Sequence, residues 1–269
     1  MSNLDILLKI GGSVLTAKNT TDIINQEIIR ELSNEIKSIY NAGYSICIVT
    51  GVGNLGHQTV AKYGIQKGDN KSIERRLGLV DAQLQVNIIR NVLLQSLYLA
   101  EIPCVQLYAS SIIISNNMMI TQTFFDSIQG FLKSNIVPVI SGDVVSDASL
   151  GFSVLSGDDI FLKIAEKFQP KLMVFGTNVD GVYTSDPFND KEAKLINKIN
   201  ISTDLLDQID LQQSSIIDVS GSMKGKISKI SKFLYTHKKA EIHVINLLQP
   251  KNITLLLQDI PFNHSVIMY

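Results

Sequence analysis

Short, uninterrupted apolar runs separated by longer stretches of helical period set the plan of this 269-residue chain. Residues 6–10, 44–50, 104–108, 136–140, 172–175 and 241–246 read as strands. Between them, 25–40, 121–134, 158–168 and 224–236 carry apolar side chains at helical spacing, and 73–100 reads as one long helix or a broken pair. Val137-Pro-Val-Ile140 and Leu172-Met-Val-Phe175 are apolar on successive residues, as in strands covered on both faces. This alternation predicts an α/β fold of three layers, a mostly parallel central sheet with helices on both sides. Ligands are then expected over the carboxyl ends of the strands. No internal repeat, low-complexity tract or proline-rich linker occurs, so one domain with two lobes is expected.

Composition narrows the classes of partner. A 45% apolar and 18% charged chain with net charge −1 has no electrostatic footprint for nucleic acid or a membrane surface. Lys67-Gly-Asp-Asn-Lys71 and Lys238-Lys239 are too short to act as basic arms. The first residues lack a basic leader, and no window approaches the roughly 18 apolar residues of a membrane span. Cys47 and Cys104 both lie in apolar strand-like runs, so buried thiols and a reducing cytoplasm are expected rather than a disulfide.

Three segments carry candidate chemistry: Lys9-Ile-Gly-Gly-Ser13, Gly51-Val-Gly-Asn-Leu-Gly-His57 and Asp218-Val-Ser-Gly-Ser-Met-Lys-Gly-Lys226. Each joins glycines, which let backbone approach a ligand, to a cationic or hydrogen-bonding side chain. A tight turn with a surface lysine is the bland alternative for each alone; three beside strand or helix ends point to one site for several phosphates. Neither a Walker loop nor a dinucleotide fingerprint is present, because Gly51-x-Gly53-x-x-Gly56 runs into His57. An imidazole at a helix start after a glycine loop can donate to an anionic oxygen. His237, His243 and His264 have no such surroundings, and no His/Cys cluster has metal-ligand spacing. Ser156-Gly-Asp-Asp159 heads a helix, with one of its two carboxylates expected to face the site, and Ser141-Gly-Asp143 repeats the pattern after another strand.

These segments, with Thr177-Asn-Val-Asp-Gly-Val-Tyr-Thr-Ser-Asp-Pro187, occur in the order of the amino acid kinase family, which the chain resembles over nearly its whole length. The Gly-His ending and Ser-Gly-Asp-Asp look most like the members acting on isopentenyl phosphate, with fosfomycin-type phosphonate kinases next. The resemblance implies the amino acid kinase fold, with an acceptor-binding lobe over about 1–150 and a nucleotide-binding lobe over about 151–269. It implies an ATP- and Mg2+-dependent kinase of a phosphate- or phosphonate-bearing small molecule, commonly a homodimer.

Roles follow residue by residue from the same likeness. Lys9, Lys18 and Lys226 would neutralise the transferring phosphoryl group, His57 would hold the acceptor phosphate, and Asp159 would orient the lysines. Gly11, Gly12, Ser13, Thr177, Asp180, Gly181, Tyr183, Asp186, Pro187, Met223 and Lys224 fall around ATP; Gly51, Val52, Gly53, Gly56, Gly142, Asp143, Ser156 and Gly157 fall around the acceptor. Gly11, Gly12 and Gly53 would lend backbone donors.

The departures bear on substrate and activity. Val52 replaces a glycine, so its Cβ is expected to restrict a positive-φ loop. Gln58 stands where proline is usual, Asn178 replaces an aspartate, and Ser220 and Ser222 replace threonine and glycine. Val52 and Asn178 are what a non-catalytic, nucleotide-binding member would show. For an isoprenoid acceptor, Ile73, Leu77, Val80 and Leu84 offer an apolar helix face; for a phosphonate, Arg75, Arg76 and Gln83 offer polar groups.

Overall fold

A computed structural model describes residues 4–16, 24–69, 71–202 and 223–269. Its main sheet has eight strands in the order β10-β12-β11-β9-β1-β2-β6-β3. The central members are β1 (Ile6–Ile10), β2 (Ile46–Thr50), β6 (Val137–Ser141) and β9 (Leu172–Thr177), flanked by β3 (Cys104–Leu107) and β11 (Glu241–Asn246). β10 (Lys198–Asn200) and β12 (Ser265–Met268) form one edge. Every pairing is parallel except β11 with β12. β1, β2 and β6 are buried at each position, the burial their continuous apolar runs predict.

One sheet face packs on α6 (Asp126–Lys133), α7 (Gly157–Phe168) and α8 (Met223–Thr236) around Phe161 and Phe175, whose rings meet edge to face at 5.3 Å. The other packs on α2 (Gln26–Asn41), α4 (Ile73–Leu99) and α9 (Asn252–Leu257). α2 buries Ile29, Leu32, Ile36 and Ile39, one face at 3–4-residue spacing. The result is the expected three-layer α/β sandwich. The 73–100 stretch is one unbroken helix, capped by Ser72, whose Oγ accepts from the Arg75 amide at 3.2 Å.

A second, four-stranded sheet was not legible in the sequence: β4 (Ile113–Asn116), β5 (Met119–Thr123), β7 (Asp143–Asp147) and β8 (Gly151–Leu155), ordered β5-β4-β7-β8. It corrects two expectations. Residues 121–134 are not one helix: the Asn117-Met118 pair, at φ 49° and 65°, turns β4 back into β5 before α6 begins. Asp143 opens strand β7 and not a helix, so Ser141-Gly-Asp143 does not repeat the Ser156 arrangement. Asp147 ties the two hairpins together, accepting from the amides of Asn117, Met118, Ser149 and Leu150 at 2.8–3.0 Å. These donors, with the Ser115 hydroxyl, outweigh burial and hold its carboxyl well below the usual range.

Candidate active site

The carboxyl ends of β1, β2, β6 and β9 open into a cleft of about 670 Å3. Its floor is a set of glycines in backbone contact across loops. A Cβ on Gly12 would lie 2.5 Å from the Gly53 nitrogen, one on Gly51 2.5 Å from the Gly12 nitrogen, and one on Gly157 2.6 Å from the Thr50 carbonyl. Gly53 alone among them has positive φ, 59°. Gly12, Gly53 and Gly157 each open a helix, α1 (Gly12–Leu15), α3 (Gly53–Tyr63) and α7, so their N–H groups have no intrahelical acceptor and can serve an anion. Gly11 differs from expectation: its N–H already donates to the Gly176 carbonyl at 3.0 Å, which removes it as a phosphate donor.

Lys9, next to last in β1, lines the cleft and is 3% exposed, with Nζ 2.9 Å from Asp158 Oδ1 and 4.6 Å from the Phe175 ring centre. The carboxylate that holds Lys9 is therefore Asp158, where Asp159 was expected. Successive residues at a helix head point apart, and Asp159 turns to Lys229, whose Nζ lies 2.8 Å away. Burial pushes the Asp158 carboxyl up, but the charges of Lys9 and Lys226, the Lys9 hydrogen bond and the charge of Lys229 hold it below the usual range. Lys226 lines the same cleft. Lys18 lies outside the described residues, as do Asp218, Ser220 and Ser222.

Val52 is not strained. Its φ is −92°, because the positive-φ position of the loop falls on Gly53. Its side chain fills the space left by two further glycines: a Cβ on Gly56 would lie 2.8 Å from the Val52 Cβ, and one on Gly142 3.2 Å from its Cγ1. Asn178 also has a local reason, since it accepts from the Ser13 hydroxyl at 3.2 Å and joins the first loop to the end of β9.

His57 on α3 lines the cleft, and Val60, Ala82, Val86, Val144 and Val154 give the same cleft an apolar wall, four of them packed in one small hydrophobic cluster. The predicted helix face is not this wall. Ile73, Leu77, Val80 and Leu84 point outward and are 49–70% exposed, because Ala82 and Val86 present the opposite face of α4. Gln66 also lines the cleft, with its Oε1 buried and no hydrogen-bond partner among the described residues. Met118 and Met119, at the β4–β5 turn, border the cleft as well.

Asp143 lines the cleft but is committed elsewhere. It pairs with Arg90 at 3.0 Å, both side chains almost wholly buried, and accepts from Gln83 and Ser110 at 3.3 Å. Arg90 also donates to the Gly142 carbonyl at 3.1 Å, so this pair braces the turn at Gly142 and offers no free carboxylate to a ligand. Arg75 donates to the Gly68 carbonyl and Arg76 pairs with Asp69, so neither supplies the polar acceptor wall a phosphonate reading required.

Thr177, Gly181, Tyr183, Asp186, Pro187, Met223 and Lys224 line the same cleft, as do Ser156 and Gly157. Asp180 does not line the cleft. It accepts from Tyr183 Oη at 3.4 Å and Asn246 Nδ2 at 3.0 Å, holding the tyrosine from behind. Burial, then the Asp180 charge, raises the Tyr183 hydroxyl pKa, so it stays a neutral donor. Sequence reasoning missed Asp158 as the Lys9 partner, Lys229, Arg90 and Gln66. Only the first two left a signal: a second carboxylate at the helix head, and a lysine three residues after Lys226.

Comparison with known proteins agrees with this geometry. The amino acid kinase family model matches residues 6–246. Isopentenyl phosphate kinase of Methanothermobacter thermautotrophicus is 33% identical over 254 residues, covering 92% of this chain and 93% of that one. That of Methanocaldococcus jannaschii is also 33% identical, over 87% and 91%. A solved isopentenyl phosphate kinase structure superposes with a TM-score of 0.80 at 29% identity, covering 98% of this chain and 99% of that chain. With the lysine pair, glycine floor and strand order all in place, the chain belongs to the amino acid kinase family.

Proposed function

We propose that the protein transfers the γ-phosphoryl group of ATP to isopentenyl phosphate, giving isopentenyl diphosphate and ADP. The observation that carries this is one cleft lined both by a lysine-bearing glycine floor with His57 and by an apolar wall of Val60, Ala82, Val86, Val144 and Val154. His57 donates to the acceptor phosphate, and Val60, Ala82, Val86, Val144 and Val154 enclose a five-carbon tail. An ionised phosphate oxygen attacks the γ-phosphorus; the new P–O bond forms as the bridging bond to the β-phosphate breaks, and that electron pair leaves on ADP. The acceptor is already an anion, so no strong base is required and catalysis is positioning and charge stabilisation.

The residues fit ATP: a cradle that any Cβ would fill, open N–H groups at Gly12, Gly53 and Gly157, and cations at Lys9 and Lys226. For Mg2+ the donor set fits an ion carried on the nucleotide, since Asp158 and Asp159 are both paired with lysines. Phosphate oxygens and water are then its ligands, and when bound it neutralises charge on the β- and γ-phosphates.

The roles named for His57, Lys9 and Lys226 are part of this proposal, as is the split into an acceptor lobe before about residue 150 and a nucleotide lobe after it. A homodimer is supported by the outer face of α4, where Ile73, Leu77, Val80, Leu84 and Ile88 form an exposed apolar stripe. The cytoplasm is supported by two free thiols, Cys47 buried and Cys104 half-buried, on strands separated by β6. The decisive assay follows ADP release and product phosphorus resonances with isopentenyl phosphate, dimethylallyl phosphate and fosfomycin. A diphosphate from the alkenyl phosphates is expected; turnover of fosfomycin alone would overturn the reading.

A further inference from the structure

We infer that Lys229 is a positioning residue for phosphoryl transfer: by clasping Asp159 and Ser156 it fixes the rotation of α8 and so aims Lys226 at the transferring phosphate. The inference rests on the role proposed for Lys226 above.

The clasp has three members. Lys229 Nζ lies 2.8 Å from Asp159 Oδ2 and 3.2 Å from Ser156 Oγ, and the Ser156 hydroxyl donates to Asp159 Oδ2 at 2.6 Å. Its α7 side is rigid, because Ser156 caps that helix and Ile160 and Phe161 anchor it in the core at 0% exposure. Its α8 side is a helix held to the core by Ile227 and Ile230, each 2% exposed. Apolar contacts hold a helix down but are non-directional. The Lys229–Asp159 ion pair, with a second and longer donation to Ser156, is directional and adds a rotational constraint to that packing.

Lys226 and Lys229 are three residues apart, so they project from neighbouring positions on one side of α8. Holding Lys229 holds that side of α8, and with it the backbone position from which Lys226 extends. The paired carboxylates at the head of α7 then divide the work: Asp158 fixes Lys9 on β1 while Asp159 fixes α8. The clasp is about one-third exposed, and pairs of that exposure add little to global stability. Its loss should be read in catalysis and not in folding.

A double-mutant cycle tests this. Wild type, Lys229→Met, Asp159→Asn and the double variant are titrated with Mg·ATP by calorimetry without acceptor, and kcat is measured with isopentenyl phosphate. Each single change should lower kcat about tenfold and weaken ATP severalfold, with the double variant no worse than the poorer single, as for residues acting as one unit. Lys229→Arg should regain most of the loss, and melting temperatures should stay nearly constant. A wild-type kcat in Lys229→Met overturns the inference. So do losses that multiply in the double variant, or a Lys229→Met loss far exceeding that of Asp159→Asn, which would mean Lys229 touches phosphate itself. If wild type binds ATP yet leaves isopentenyl phosphate untouched, the acceptor assignment fails while the ATP-affinity cycle still decides the clasp.

Discussion

Asp158→Asn is the sharpest perturbation of the lysine site, because it removes a charge without removing volume. In the wild type the Lys9 ammonium and Asp158 carboxylate sit 2.9 Å apart at 3% and 7% exposure. At an effective dielectric of about 20 their attraction is about 6 kcal/mol, much of it offset by desolvation of both groups. Breaking such a pair from one side typically costs about 3–5 kcal/mol, since a buried charge is left without its counter-charge. The Asn oxygen still accepts one hydrogen bond, a neutral contact of about 1 kcal/mol, so about 2–4 kcal/mol is expected at pH 7. Guanidinium unfolding with parallel curves should show this, with Tm lower by about 5–15 °C.

The sign with pH follows from the direction of the shift. The carboxyl of Asp158 in the folded protein is held below the ordinary aspartate value of 3.8. Its stabilisation is therefore complete above about pH 4 and is lost as pH falls through the lower, folded value. The Asn variant has no such group, so the gap between the two proteins should narrow between pH 4 and pH 3. A loss under about 1 kcal/mol at pH 7, or a gap that acid leaves unchanged, would refute the assignment of Asp158 as the buried partner of Lys9.

Three further outcomes are expected. His57→Ala should weaken the acceptor by about 1.5–3 kcal/mol, read as KM for isopentenyl phosphate with ATP affinity held, and His57→Gln should recover part; an unchanged KM makes the histidine structural. Val52→Gly should destabilise by about 1–2 kcal/mol without improving the acceptor KM, because the valine packs against Gly56 and Gly142 in an unstrained helical conformation; a lower KM would show that it crowds the phosphate. Gln66→Leu should lower the KM for isopentenyl phosphate a few-fold with kcat little changed, since it replaces a buried, unpartnered amide oxygen with an apolar wall; a raised KM would show that the amide serves the acceptor.

Six of the main sheet's eight strands were legible, the central ones because they are buried on both faces and so are written as unbroken apolar runs; the short edge strands β10 and β12 were not read. The second sheet was not: β5 has the burial pattern of a half-exposed ribbon, and its polar residues blend into the helical period of 126–133. Glycine loops announced the phosphate end, since only close backbone approach requires them in that density. The apolar end was misread for a physical reason. α4 is apolar on two faces, and periodicity alone cannot say which one turns inward. Likewise nothing in Ser156-Gly-Asp-Asp159 distinguishes the carboxylate that meets β1 from the one that meets α8, because the difference arises only when the helices dock.

The backbone-to-backbone contacts of the glycine floor also limit how such an enzyme can change. Gly12, Gly51 and Gly157 each sit where a single carbon would strike the main chain of another loop, so a substitution there shifts two loops at once. The apolar wall of the cleft is made of side chains on α3, α4, β7 and β8, and those can be exchanged one at a time. Variation is thus channelled: the glycine floor is held in an alphabet with one letter, while the apolar wall is spelled with four valines and an alanine.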